Sequence, residues 1–424
     1  MYKPRLVDET LKRKLMGVGA VLIEGLKWCG KTTTAEQQAN SVIYMDNPAN
    51  RNNNIKLAET DPNLILKGDT PRLIDEWQIA PTLWDAIRFW VDHRDQEGQF
   101  ILTGSATPQI SQEEKEKMHT GTGRISRLKM RTMSLWESGD SNGTVSLKGL
   151  ADGIKQSGAT KSNLSEIAYL CCRGGWPKAT LQDRAIALDR AEDYYQAIVN
   201  FDIARASKMS INADKITRLL RSYSRFQGCQ TSVNAITEDM KSGEADTLDS
   251  RTVQAYIDTL KQIYVIEDMA AWNPNLRSKS TIRTTGTRYF SDPSIATASL
   301  GIGPEDLIKD LNTFGFIFET MCIRDLRIYA ECIGGNVYHF RDSNGLECDA
   351  VIHFRNGKYG LIEIKLGGDK LIEEGVKNLL KLNRTIDTEK MGKPAFMMVL
   401  TATGEFAFQR ADGVYVVPIN TLKN

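Results

Sequence analysis

The chain has 424 residues, 41% hydrophobic and 25% charged, with a formal net charge of +1. That length predicts two or three domains, and the near-zero charge leaves any nucleic-acid contact to local patches. Seven cysteines without a C-x-x-C pair and four scattered histidines exclude a disulfide framework or zinc site and fit a reducing cytoplasm. No run of about 18 apolar residues is available to span a membrane, and Met1–Asp8 lacks an apolar leader core.

In chain order, the first element is an apolar strand, Gly19–Glu24. Gly25-Leu26-Lys27-Trp28-Cys29-Gly30-Lys31-Thr32 then spells G-x-x-x-x-G-K-T, and Thr33–Ala39 opens a helix. Strand, glycine loop and helix aim backbone N–H groups at an anion. Gly25 through Thr33 are therefore expected to cradle phosphates, with Lys31 on the β and γ groups and the Thr32 hydroxyl on Mg²⁺. A nucleoside triphosphate is the predicted ligand.

Ser41–Asp46 is the second strand, and the third, Arg72–Trp77, ends in two acids. Asp75 takes the place beside the Mg²⁺ water shell, and Glu76 is the natural base for the attacking water. Pro81–Val91 has helical apolar spacing, and Gln99–Ala106 is a further strand. Thr103 or Ser105 on it is placed to sense the γ-phosphate; an ordinary turn after a strand has the same residues. A basic run, Gly123–Arg131, follows without an acid. An arginine here suits transition-state charge, in cis or toward a neighbouring subunit, or else a solvated strand. Alternating strands and helices predict a parallel α/β sheet.

These segments, in this order, resemble a bacterial and archaeal family of AAA-type P-loop ATPases with a C-terminal domain of uncharacterised function. The resemblance rests on Gly25–Thr32, Leu73–Gln78, Ile101–Ser105 and Gly123-Arg124, and extends to Gly174-Gly175-Trp176-Pro177. It implies that Asp75 is the Mg²⁺ acid, Glu76 the catalytic acid and Arg124 the family's arginine after a glycine. It also implies ATP as the nucleotide; no N-K-x-D guanine motif is present. Lys27-Trp28-Cys29 departs from the usual loop interior, and Met133–Glu137 lacks the expected proline.

Residues 1–138 form the expected ATPase domain. Residues 139–163, rich in Gly, Ser, Asn and Lys, read as a loop within a 139–210 linker and helical segment. Leu164–Leu170 and Ala185–Ala206 are its predicted helices. Within 211–300, helices over Lys215–Phe226, Ser232–Met240 and Asp249–Ile263 precede strands Tyr264–Met269 and Thr287–Ser291, with basic Arg277–Arg283 between. That order predicts a winged helix, with Arg251, Gln254 and Lys261 facing a DNA groove. Asp258 opposes phosphate, and the same architecture serves protein contacts.

Residues 301–424 hold the last constellation. Glu319 lies on an apolar helix beginning at Phe314, and three strands follow: Asn336–Arg341, Leu346–His353 and Tyr359–Lys365. Glu347 and Asp349 share one strand face, as do Glu363 and Lys365. Asp349 and Glu363 are 14 residues apart (363 − 349), which suits a hairpin. A helix over Leu371–Leu382 and strands Ala395–Leu400 and Gly413–Ile419 complete a mixed sheet. This D…E-x-K order resembles the restriction-endonuclease-like fold. In that chemistry Asp349, Glu363 and Glu319 hold Mg²⁺ or Mn²⁺, and Lys365 stabilises charge on the phosphate.

The expected fold class is thus α/β: a P-loop AAA-type parallel sheet, a helical and winged-helix region, then a restriction-endonuclease-like mixed domain. The expected function is an Mg²⁺-dependent ATPase acting on or with DNA and coupled to a nuclease-like domain. The alternative is a nucleotide-controlled switch or scaffold whose last domain only binds a protein or DNA. A trans-acting Arg124 requires a homo-oligomer.

Overall fold

The computed structural model describes residues 2–105, 120–206, 212–241, 248–273 and 286–424. It divides into two compact units. The first is Met1–Thr132 with Arg205–Lys208 and Gln262–Tyr264; the second is the remainder.

In the first unit, the apolar runs of the sequence become five parallel strands: β1 (Ala20–Gly25), β2 (Ser41–Tyr44), β3 (Arg72–Asp75), β4 (Phe100–Gly104) and β5 (Ile125–Met130). Their order is β2-β3-β4-β1-β5. β4 therefore separates the loop-bearing β1 from the acid-bearing β3, and all strands end on the same edge. That edge is where parallel sheets bind ligands. The flanking helices include α1 (Leu6–Leu15), α2 (Lys31–Glu36) and α3 (Leu83–Arg94). Trp84 and Ile87 of α3 seal the sheet against Leu22, Ile74, Phe100 and Leu102. Two helices not anticipated from sequence, Arg51–Thr60 and Pro62–Leu66, lie between β2 and β3. The carboxylate of Asp61 caps the second, whose Pro62 needs no donor partner there.

In the second unit, α4 (Leu164–Arg173) and α5 (Arg184–Ala197) occur as expected, α5 running on into a π-helical turn at Ile198–Asp202. α6 (Ala213–Arg225), α7 (Val233–Met240) and α8 (Ser250–Gln262) match the three expected helices. The two expected wing strands pair antiparallel only through isolated bridges, Ile266 with Phe290 and Met269 with Thr287. The basic run Arg277–Arg283 lies outside the described residues, as does Ala106.

Helices Pro293–Leu300 and Pro304–Lys309 come next, and this unit also builds a seven-stranded mixed sheet in the order β7-β12-β13-β11-β10-β9-β8. Its strands are β7 (Gly158–Ser162), β8 (Gly335–Arg341), β9 (Glu347–Phe354), β10 (Tyr359–Lys365), β11 (Phe396–Thr401), β12 (Gly404–Gln409) and β13 (Tyr415–Pro418). Helices α9 (Leu311–Cys332) and α10 (Asp369–Thr385) pack on it. The reading of 139–163 as a loop is corrected here. β7 pairs with the edge of β12, and β6 (Val145–Ser146) pairs with β14 (Leu422–Lys423). Such short, polar strands carry little apolar signal, because the partner strand supplies their order. Among the described residues, no helix is long and apolar enough to cross a membrane.

Candidate functional site

The phosphate loop leaves β1 at Gly25 with a positive φ of 155°, and a Cβ there would run into the Met130 carbonyl of β5. Gly30, at φ 100°, turns the chain into α2. Only glycine adopts both conformations cheaply. Lys31 is buried, and its ammonium donates to the carbonyls of Gly25 (3.0 Å) and Leu26 (2.6 Å). It thus lies inside the loop that its charge is meant to serve.

Opposite the loop, the Thr32 hydroxyl donates to Asp75 Oδ1 at 2.7 Å, and Thr103 Oγ1 donates to the same oxygen at 2.6 Å. Thr103 also accepts from the Glu76 amide at 3.3 Å. Glu76 itself is left-handed (φ 54°, ψ 45°), and its carboxylate accepts from Gln78 and, at 3.3 Å, from Ser105. Burial pushes the pKa of Asp75 up, against the two threonine hydroxyls that favour its charge. Burial likewise raises Glu76, against the positive charge of Lys31 and the Gln78 hydrogen bond. Asp46, just past β2, adds negative potential to both. A hydroxyl and a carboxylate sharing a contact, with an ammonium in the loop, fit a Mg²⁺–nucleotide. Thr32 and Asp75 are the residues that would hold such an ion.

A second polar cluster lies in the other unit. Between β8 and β9 the register shifts: Tyr338 faces Val351 and Phe340 faces Cys348, so Asp349 and Ala350 together oppose His339. This bulge turns the Asp349 carboxylate to the Ile364 amide, which donates at 2.7 Å. The Lys365 ammonium bridges Asp349 (3.2 Å) and Glu363 (2.8 Å). From α10, Asn378 donates to Glu363 Oε1 at 2.6 Å and to the Glu347 carbonyl at 2.7 Å. Glu319 accepts from the Tyr289 hydroxyl. Burial, and then the charge of Asp349, raise Glu319 and Glu363 well above the usual carboxylate range. Burial opposes the charge on Lys365, but Asp349 and Glu363 outweigh it and raise its pKa.

Residues 18–138 match a family described as an AAA domain. This segment is an AAA-type P-loop domain. Residues 164–306 match a Domain of unknown function (DUF8612), and residues 314–422 another (DUF4143). Two proteins described as uncharacterized, from Mycobacterium bovis and Mycobacterium tuberculosis, are each 22% identical over 418 residues. Each match covers 97% of this chain and 82% of the relative. A Walker-type ATPase of Pyrococcus abyssi is similar with a TM-score of 0.41 and 12% identity, over 69% of this chain and 94% of that one.

Within the AAA-type domain, Lys31, Thr32, Asp75, Glu76, Thr103 and Ser105 come together as the sequence implies. Arg124 does not join them. It immediately precedes β5, where Ala20 stands opposite Ile125 and Gly25 opposite Met130. Arg124 is therefore at the sheet edge away from the loop, bonded to Asp92 at 2.7 Å. That removes the cis alternative. Sequence reasoning missed Arg5, whose buried guanidinium donates to the carbonyls of Cys29 and Arg131, both at 2.9 Å, and so braces the loop.

In the second unit, Glu319, Asp349, Glu363 and Lys365 are neighbours. Among the described residues, no group of three or more His, Cys, Asp or Glu side chains is arranged to hold a metal ion. Lys365 already neutralises Asp349 and Glu363, and Tyr289 engages Glu319. Glu347 departs as well: its exposed carboxylate pairs with Arg341 at 3.1 Å. On α8, Lys261 is paired with Asp268 (2.7 Å) and Gln254 with Asp258 (2.7 Å), so two of the three expected groove residues are engaged. Tyr289 and Asn378 were not anticipated; no local pattern marks either.

Proposed function

We propose that the AAA-type domain hydrolyses ATP with Mg²⁺, and that this turnover governs a second unit directed at DNA. The observation that carries the first half is the Thr32–Asp75–Thr103 chain beside a Glu76 carboxylate fixed by Gln78 and Ser105. Lys31 leaves its loop carbonyls to neutralise the β and γ phosphates. Thr32 and Asp75 hold Mg²⁺, which supplies positive charge to the phosphate oxygens when bound. Glu76 orients the attacking water and accepts its proton, while Thr103 links Asp75 to the Glu76 backbone and so registers any shift in either. Arg124 acts, on this reading, on the nucleotide of a second copy of the chain.

The test is ATP turnover with nucleotide binding measured alongside. Lys31→Ala is expected to lose binding or turnover, and Glu76→Gln to bind but not turn over. Full hydrolysis by Glu76→Gln would overturn the base assignment.

For the second unit, the reading as winged-helix and restriction-endonuclease-like modules is supported by the helix order and by Lys365 and Glu363 of β10 meeting Asp349 at the β9 bulge. DNA cleavage is tested with Mg²⁺ or Mn²⁺, with and without ATP, beside Asp349→Ala. No cleavage with hydrolysis intact would favour the second reading, a nucleotide-controlled switch whose last domain only binds. The self-neutralised Lys365 cluster speaks for that alternative.

A further inference from the structure

The second unit carries an unpaired basic face next to its carboxylate pocket. Lys370, Lys377, Lys381 and Arg384 are all exposed on α10, and none has an ion-pair partner among the described residues. At about 100° per residue they fall within roughly 60° of one another, along about 20 Å of helix. Glu373 is engaged by Arg410 at 2.6 Å, which leaves Glu374 as the acid on that side. From residue 375 to residue 386 the sequence has no acid. Beside Lys377 on the same helix, Asn378 reaches the other way, to Glu363 in the pocket. The cations of α8 are different: Lys261 is spent on Asp268.

We infer that the outer face of α10 binds the phosphate backbone of a nucleic acid and leads it to the Asp349–Glu363–Lys365 pocket. This rests on the proposed action of the second unit on DNA, and moves the main contact from α8 to α10. The pocket holds three carboxylates and one ammonium, so a polyanion approaching it needs flanking cations, and α10 supplies them. At about 3.4 Å per nucleotide of a duplex strand, the row from Lys370 to Arg384 spans roughly six phosphates. Cations near a helix C-terminus also favour the helix dipole; that role alone changes helix stability and not the salt dependence of binding.

The experiment is fluorescence anisotropy of the full chain with labelled single-stranded DNA, duplex DNA and RNA across a salt series. The variants are Lys377→Gln/Lys381→Gln/Arg384→Gln and, as control, Lys178→Gln/Lys309→Gln, two exposed lysines of the same unit. The triple variant is expected to lose at least about tenfold in affinity. Its plot of log affinity against log salt should be shallower by about 2–3, one phosphate per cation removed. The control should bind as the wild type does, and the preferred polymer identifies the source of the phosphates. Wild-type affinity and slope in the triple variant would overturn the inference, as would no binding of any oligonucleotide by the wild type at low salt. Binding along α10 without cleavage would retain it while removing the nuclease reading.

Discussion

Two pockets in this chain are built from the same residue types and reach opposite electrostatic states. In the AAA-type domain, hydroxyls surround the key carboxylate, and the lysine is parked on backbone carbonyls. Its charges remain available to a ligand. In the second unit, the lysine is already shared by two carboxylates, and a tyrosine engages a third. The contrast predicts that altering the first pocket costs turnover, and that removing the lysine from the second costs stability. Residue identity alone does not separate them, since each contains a lysine and neighbouring acids.

The largest expected effect tests the first half of that contrast. Glu76→Gln should reduce ATP turnover at least about 100-fold with nucleotide affinity and melting temperature near wild type. A large drop in melting temperature would mean that Glu76 is structural. Next, Lys365→Met should destabilise the second unit by about 3 kcal/mol, because it leaves two carboxylates facing each other in a buried setting. Lys365→Met/Glu363→Gln should recover much of this in denaturant unfolding. Unchanged stability in the single variant would break the comparison.

A comparable effect is expected from pH. His339 is 4% exposed, and burial, then Arg341, lower its pKa to about 4. The unfolded chain takes up this proton near pH 6.5, the folded chain only near 4. Its contribution is therefore fully present above pH 6.5 and is lost progressively as the pH falls to 4, by about 3 kcal/mol in all. His339→Gln should flatten that window, while an unaltered acid limb would assign the loss to other groups. The smallest effect belongs to Tyr289→Phe, which removes one hydrogen bond from Glu319. It should cost about 1–2 kcal/mol in thermal or chemical unfolding and leave ATP turnover unchanged.

What the sequence alone makes legible follows a physical line. The phosphate loop was legible because its chemistry is contiguous: one strand, eight residues and one helix start define it. The β9–β10 hairpin was legible because 14 residues separate Asp349 from Glu363 and both strands are strongly apolar. The distance of Arg124 from the loop of its own domain was legible as well. In a parallel sheet, a residue just before a strand lies on the edge opposite a loop that follows the neighbouring strand. By contrast, nothing local announces that Tyr289 and Asn378 reach Glu319 and Glu363, since tertiary folding alone brings them there. β7 was hidden for a related reason: Gly158–Ser162 has no apolar alternation, and the β12 edge gives it its conformation.

The bulge at Asp349 and Ala350 has a consequence for how such a pocket is kept or lost in descent. The aim of the carboxylate depends on a count, two residues on β9 against one on β8, rather than on what Ala350 is. Many substitutions at Ala350 would leave Asp349 on the Ile364 amide. A one-residue deletion would restore an even ladder and withdraw Asp349 from that amide, with every other pocket residue still in place. A relative of altered length here can therefore retain every pocket side chain and still have a disassembled site.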